Sequence, residues 1–172
     1  MQSTIQSTPD QLSQPERKKV RDFIKSHPVA VLATADDSGN PHASVIYITT
    51  DDDLHLTFTT KEDTNKYKDI AHNDHVVLVV YEAESQTTVQ ISGRAVEVTD
   101  QEAQQQIYKG TLHAAEQTGE DVVPPIAKIA AGRYVGFTIE IDKINWSEYG
   151  WGNSFAKALE HVDDPQNNGD PM

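Results

Sequence analysis

Between residues 29 and 58 the chain passes through three β-like segments joined by two tight turns, with no room for a helix between them. Residues 29–34 are apolar on both parities, and Asp36-Asp37-Ser38-Gly39-Asn40-Pro41 reads as a turn by composition. Residues 42–50 set β-branched and aromatic side chains on alternating sides, and Asp51-Asp52-Asp53 turns the chain again. Leu54, Leu56 and Phe58 then alternate with His55, Thr57 and Thr59. Strands this close in sequence pair antiparallel, because a parallel neighbour needs a crossover of about a dozen residues. Further on, Val76-Val77-Leu78-Val79-Val80 is a run buried on both faces, residues 87–98 form a long strand, and Val135, Phe137, Ile139 and Ile141 alternate cleanly. In the 87–98 strand, Val89 and Ile91 precede Gly93 on one parity and Val96 and Val98 follow on the other. That switch predicts a bulge or barrel corner at Gly93. About six strands in such succession predict a mainly β chain closed as a small antiparallel barrel; helices are too few and too late for a doubly wound sheet.

The helical segments are short. Ser13 and Glu16 form a capping box, Pro15 suits a first turn, and Val20, Phe23 and Ile24 recur at helical spacing up to a stop before Pro28. A second helix fits 64–71, capped by Asp63 or Thr64. Thr99 and Glu102 box the start of a third, running to about residue 117 with Ala103, Ile107, Thr111 and Ala114 along one stripe. Pro124-Pro125 interrupts, and 126–131 suggests another helical turn ended by Gly132. The expected organisation is one domain over residues 13–160, with 1–12 and 161–172 as flexible ends.

Composition narrows the partners. The 172 residues carry 27 acidic side chains against 14 basic ones, a formal charge of −13, which repels phosphate backbones and anionic lipid. Neither nucleic acid nor a membrane is expected as a partner. No apolar run approaches the roughly 18 residues of a membrane span, and the first residues lack a basic stretch followed by an apolar one. Cysteine is absent, so disulfides and thiolate metal sites are excluded and a reducing cytoplasm is the expected compartment. In so acidic a chain, a local cluster of lysines is informative.

Such a cluster occurs in Phe58-Thr59-Thr60-Lys61-Glu62-Asp63-Thr64-Asn65-Lys66, which carries a strand end into a helix start. Unsatisfied N–H groups at a helix N-terminus favour an anion, and three threonine hydroxyls and two lysines surround them here. A terminal phosphate would be held by Lys66, with Thr59, Thr60 and Thr64 donating hydrogen bonds; a solvated capped helix with surface lysines is the plainer alternative. His72 and His75 are two histidines without a third placed ligand, short of a metal site. His42 and His55 lie on strands. Trp146, Tyr149 and Trp151 suit a core cluster, an interface anchor or the wall of a ligand site. Arg94 suits either a phosphate or a cross-strand carboxylate. No Gly-x-Ser-x-Gly or similar nucleophile motif is present.

The order of these features resembles the pyridoxamine 5'-phosphate oxidase-like family. A helix precedes two strands joined by a Gly-Asn-Pro turn; a strand ending in Thr-Thr, a short Lys-bearing helix, a buried strand and Val89-Gln90-Ile91-Ser92-Gly93-Arg94-Ala95 follow. The likeness covers roughly residues 15–100, with weaker support near 134–146. It implies a six-stranded antiparallel split β-barrel with flanking helices, working as a homodimer with FMN in the interface. Residue by residue, Ser44, Val45 and Ile46 fall on the strand passing the flavin, and Thr59, Thr60 and Lys61 on the segment contacting ribityl and phosphate. Thr64, Asn65 and Lys66 fall on the phosphate segment, Thr88 and Gln90 on the strand reaching the ring, and Trp146 would reach the ring from the partner subunit. Ser44 and Asn65 stand where relatives carry arginines, and Thr88 where they carry glutamine; each lost charge-assisted bond is worth about 1.5–3 kcal/mol. The vitamin B6 substrate signature of Arg-x-His-x-x-Arg type has no counterpart near Trp146. The resemblance therefore implies a looser flavoprotein relative, an oxidoreductase for an unknown small molecule in which the flavin carries the chemistry and no side chain is nominated as catalytic. A deazaflavin-dependent reductase and a non-catalytic flavin- or haem-binding stress protein are the alternatives on the same barrel.

Overall fold

The computed structural model describes residues 3–119 and 132–149. Its elements are β1 (Ser3–Ser7), a 3-10 turn (Pro9–Gln11), α1 (Gln14–Ser26), β2 (Val29–Ala35), β3 (Pro41–Thr50) and β4 (Leu56–Lys61), followed by α2 (Asn65–His72), β5 (His75–Glu82), β6 (Thr87–Glu97), α3 (Gln101–Glu116) and β7 (Tyr134–Glu148). Seven strands form one sheet in the order β1-β7-β4-β3-β2-β5-β6, every pairing antiparallel; β6 pairs back onto β7 and closes six of them into a barrel. This is the mainly β, six-stranded barrel with flanking helices that the strand pattern implied. The expected helical turn at 126–131, Trp151 and the 161–172 end lie outside the described residues.

Closure depends on β7, whose 15 residues serve two edges. One edge pairs with β6 along nearly its whole length; the other takes β4 over Tyr134 to Ile139 and then β1 over Ile144 to Glu148. The chain start, expected as a loose end, is thus strand from Ser3 to Ser7. The physical reason is the length of β7: where β4 stops, an open strand edge remains, and β1 supplies its hydrogen bonds. Ile5 packs against the core, and Leu12 is buried behind it.

The irregularity expected at Gly93 sits on the neighbouring strand. Ser92 faces Lys143 while Gly93 faces Ile141, so Asp142 is the extra, unpaired residue of a β-bulge. Parity switches in β7, from buried Val135, Phe137 and Ile139 to buried Ile144 and Trp146, whereas β6 keeps its phase through Val89, Ile91 and Ala95. Val96 stays outside at 37% exposure, contrary to the expected switch. Gly93 is required for another reason: a Cβ there would overlap the carbonyl of Glu140 across the ladder.

The helices begin where their caps dictate. Ser13 donates from both its amide and its hydroxyl to the Glu16 carboxylate, at 2.8 and 2.6 Å, and α1 buries Val20 and Ile24 on the barrel. The cap of α3 is Asp100 rather than Thr99, because the Asp100 carboxylate accepts from the amide of Ala103 at 2.8 Å. Helix α3 then buries Thr111, Ala114 and Ala115 over β3, β4 and β7. Inside, the Phe58 and Phe137 rings stack with centroids 5.2 Å apart among Leu32, Leu56, Leu78, Ile91 and Ile144.

The β3–β4 ladder is short. Only Ile48, Thr49 and Thr50 pair, with Phe58, Thr57 and Leu56, so beyond Phe58 the strand β4 leaves β3 and follows β7 alone. This split is bridged by α2, which packs on both β2 and β4. Replacing Gly93 by Ala forces the β6–β7 backbones apart and is expected to cost about 1–3 kcal/mol, an overpacking penalty read as a lower urea midpoint with the m-value unchanged.

Candidate functional site

At the end of β4, Thr60 faces the core with Phe58, and Thr59 and Lys61 lie on the opposite face of the strand, Thr59 against α3. The Thr60 and Thr64 hydroxyls lie 3.1 Å apart, and the Thr64 hydroxyl donates to the carbonyl of Lys61 at 2.7 Å. Thr64 also caps α2, its oxygen accepting from the Tyr67 amide at 3.4 Å. The amides of Asn65 and Lys66 have no acceptor among the described residues. Lys66 is half-buried, and among the described residues no carboxylate pairs with it. Burial therefore pulls its ammonium below the ordinary lysine value. A desolvated cation beside two open amides is a ready place for an anion.

The same face of α2 holds a group that the sequence did not single out. Asp69, three residues after Lys66, is 5% exposed. Its carboxylate accepts from the Thr34 hydroxyl at 2.7 Å and meets Nδ1 of His42 at 2.9 Å, Thr34 and His42 being cross-strand partners on β2 and β3. Burial alone pushes the Asp69 carboxyl up, but the bonds from Thr34 and His42 and the imidazolium charge outweigh it and leave it below the usual carboxylate value. His42 is held above its usual value by the hydrogen bond to Asp69, with the charges of Asp69 and Asp36 adding to it. A buried acid is common in cores only when paired, and nothing in local spacing ties residue 69 to residues 34 and 42.

The twelve residues carried over from the family resemblance fall in different places. Ser44, Thr60, Thr64, Asn65 and Lys66 flank the split, with Ile46 buried in its wall. Val45 points outward at 66% exposure, in one lateral row with Val31, Val79 and Gln90; Thr88 lies beside Tyr81 on the same outer face. Thr59 and Lys61 turn elsewhere. Thr59 Oγ1 lies 3.2 Å from Thr111 Oγ1 under α3, and Lys61 is 2% exposed, its ammonium 4.8 Å from the centroid of the Tyr134 ring. Trp146, expected to reach a neighbouring subunit, is 3% exposed in its own core, its ring edge-on to Phe23 at 5.1 Å and beneath the Lys19 ammonium. Its inward parity after the β7 bulge explains the difference. Tyr149 is exposed and separate from it. Arg94 pairs with Glu140 across β6 and β7 at 2.5 Å, the carboxylate alternative. His72 and His75 are both exposed, and the group with converging donors among the described residues is instead Asp51, Asp53 and His55, an exposed turn in which Asp51 accepts from both neighbours.

A closed barrel opened along one strand pair and bridged by a short helix defines a split-barrel protein. A solved FAD-binding protein from Mesorhizobium loti has this fold, with TM-score 0.60 and 20% identity over 87% of this chain and 99% of that one. PhzG from Burkholderia lata, solved with tetrahydrophenazine-1-carboxylic acid, matches with TM-score 0.59 and 18% identity over 83% and 84%. The chain belongs to the pyridoxamine 5'-phosphate oxidase family, whose sequence model matches residues 17–145. The pyridoxine/pyridoxamine 5'-phosphate oxidase of Burkholderia thailandensis is 33% identical over 72 residues, 42% of this chain and 34% of that one. The chain thus spans about a third (34%) of the length of this curated relative.

The Thr34–Asp69–His42 set ties α2 to the far wall of the split. Asp69→Ala leaves the buried Thr34 hydroxyl without its acceptor and is expected to cost about 1–3 kcal/mol. Because the Asp69 value is depressed, its share of this stability is present above the unfolded carboxylate value and lost as pH falls through the folded one. Because the His42 value is raised, its share is present below the unfolded imidazole value and lost as pH rises through the folded one. The excess stability of wild type over Asp69→Ala should therefore peak between about pH 4 and pH 6.5 and shrink on either side, measured by denaturation across pH.

Proposed function

We propose that this chain is an FMN-binding oxidoreductase acting on a small molecule, with the flavin phosphate at the start of α2 and the ring over the outer face of β3, β2, β5 and β6. The observation that carries the reading is Lys66: a half-buried cation without a counter-charge among the described residues, beside the open amides of Asn65 and Lys66, in a chain of net charge −13. Ser44, Thr60 and Thr64 flank that position and supply hydroxyls. Bound flavin would supply hydride or electron transfer. Val45 offers an apolar surface to a ring and Gln90 an amide able to donate and accept hydrogen bonds. Beside them a groove of about 310 Å³ is lined by Ala33, Val77, Ser92 and Gly93 among others. Thr59, Lys61 and Trp146 have no direct part in this arrangement, being buried against other elements.

The working unit in this reading is a homodimer. Val29, Val31, Val45 and Tyr81 are exposed at 39, 42, 66 and 57% on the outer face, where a partner copy would cover both them and the ring. No helix among the described residues is long and apolar enough to cross a membrane, and the cysteine-free composition favours the cytoplasm.

Titration with FMN, followed by flavin fluorescence and the visible spectrum, tests the reading. Wild type should bind, and Lys66→Ala should bind several-fold more weakly. Equal affinity in the two proteins moves the phosphate elsewhere, and a purified protein with a haem or deazaflavin spectrum replaces FMN by that group. Bleaching of the bound flavin by NADH or NADPH separates a reductase from a storage protein. Val45→Glu should convert dimer to monomer in sedimentation velocity; a monomeric wild type removes the dimer from the proposal.

A further inference from the structure

The ladder between β2 and β5 is only three pairs long, Val31–Val79, Leu32–Leu78 and Ala33–Val77. Both strands run on past it, β2 to Ala35 and β5 back to His75, and no pairing joins these ends. The gap is a groove of about 310 Å³, bordered by the two strand ends and, beyond β5, by Ser92, Gly93 and Asp142. Thr34 and Val76 turn their side chains to the core at 5% and 3% exposure, so their main chain borders the groove. Strand edges that part in this way leave N–H and C=O groups open to a ligand. Asp142 is the extra residue of the β7 bulge, the kind of irregularity that re-aims a side chain beside a site. Among the described residues its carboxylate has no ion pair, and the His75 imidazole and the Ser92 hydroxyl have no hydrogen bond. No lysine or arginine lines the groove: Arg94, opposite His75 in the ladder, is paired with Glu140, and Lys143, opposite Ser92, lies outside the lining.

We infer that this groove binds a small aromatic cation, its charged nitrogen group meeting the Asp142 carboxylate and its remaining N–H donors meeting open carbonyls of the parted strand ends. Charge decides the class. Asp142 is the acid in the lining, no lysine or arginine there offsets it, and the net charge of −13 draws cations and repels anions. A phosphate or carboxylate would meet like charge instead. Ala33, Ala35 and Val77 give the ring an apolar wall, and the volume, small for a ligand site, suits a molecule of one ring. Ala33, Val77 and Ser92 each lie two residues beyond Val31, Val79 and Gln90 on the same outer face, a step of about 7 Å away from Val29 and Tyr81. With a flavin ring over Val31, Val79 and Gln90, the groove opens at the edge of the ring and the bound cation is the substrate. That assignment alone rests on the function proposed above.

The test uses three compounds of one shape and different charge, benzamidine, benzamide and benzoate, titrated into the isotope-labelled full chain and followed in its NMR amide spectrum. Benzamidine should shift the amides of Ala35, His75, Val76, Gly93 and Asp142 and saturate. Benzamide should bind there about fivefold more weakly, and benzoate should leave these amides unmoved. Asp142→Asn should lower benzamidine affinity about fivefold, to the level of benzamide, and Asp142→Glu should restore most of it. Asp142 is exposed, so both variants should keep the wild-type spectrum away from the groove. Equal affinity for the three compounds, equal benzamidine affinity in Asp142→Asn, or shifts scattered over the acidic surface overturns the site. With FMN added, benzamidine should also perturb the flavin absorption band in wild type and not in Asp142→Asn. An unperturbed band with the groove shifts intact overturns the substrate assignment alone. Groove binding of benzamidine by a chain that takes up no FMN keeps the cation site and overturns the proposed function.

Discussion

One buried carboxylate holds the split side of this barrel together. Beyond Phe58 the strand β4 parts from β3, and the gap would open the core to water if nothing spanned it. Helix α2 spans it, and Asp69 binds that helix to β2 and β3 through Thr34 and His42. An acid in that position is favourable only while both partners are present, since an unpaired buried charge costs several kcal/mol. The polar triad therefore sets where α2 sits, and with it where Thr64, Asn65 and Lys66 present the start of the helix.

The opposite side is organised by a long strand and a bulge. Asp142 adds one residue to β7, which switches its inward face and turns Ile144 and Trp146 into the core beneath α1. Without that extra residue, Trp146 would lie on the outer face of the barrel. The same strand leaves an edge that the chain start covers, so residues 3–7 become β1 despite a polar composition. Hydrogen-bond satisfaction, rather than hydrophobicity, recruits this segment.

Much of the candidate site was legible because it is contiguous. The Thr-Thr-Lys run, the Thr64 cap and Lys66 lie within one strand-to-helix junction, and cap chemistry follows from neighbours three residues apart. Val45 and Gln90 were placed through the resemblance, and the structure sets them in one row four strands wide. Thr59 and Lys61 read the same way in sequence yet turn to the other face, Thr59 under α3 and Lys61 over the Tyr134 ring, because a strand alternates its faces and only the packing of remote elements decides which face is covered. Asp69 gave no signal beyond an acid in an amphipathic helix; its partners lie 35 and 27 residues away.

Strand and helix identity, the antiparallel order, the caps of α1 and α2 and the acidic background belong to the sequence itself. They rest on periodicity, turn chemistry and charge, all of which act within a few residues. Which strand carries the bulge, which end is stitched into the sheet, which threonine turns under α3 and which histidine meets a buried carboxylate were decided only in three dimensions. Each of those depends on burial and on partners from distant elements, and both exist only once the barrel has closed.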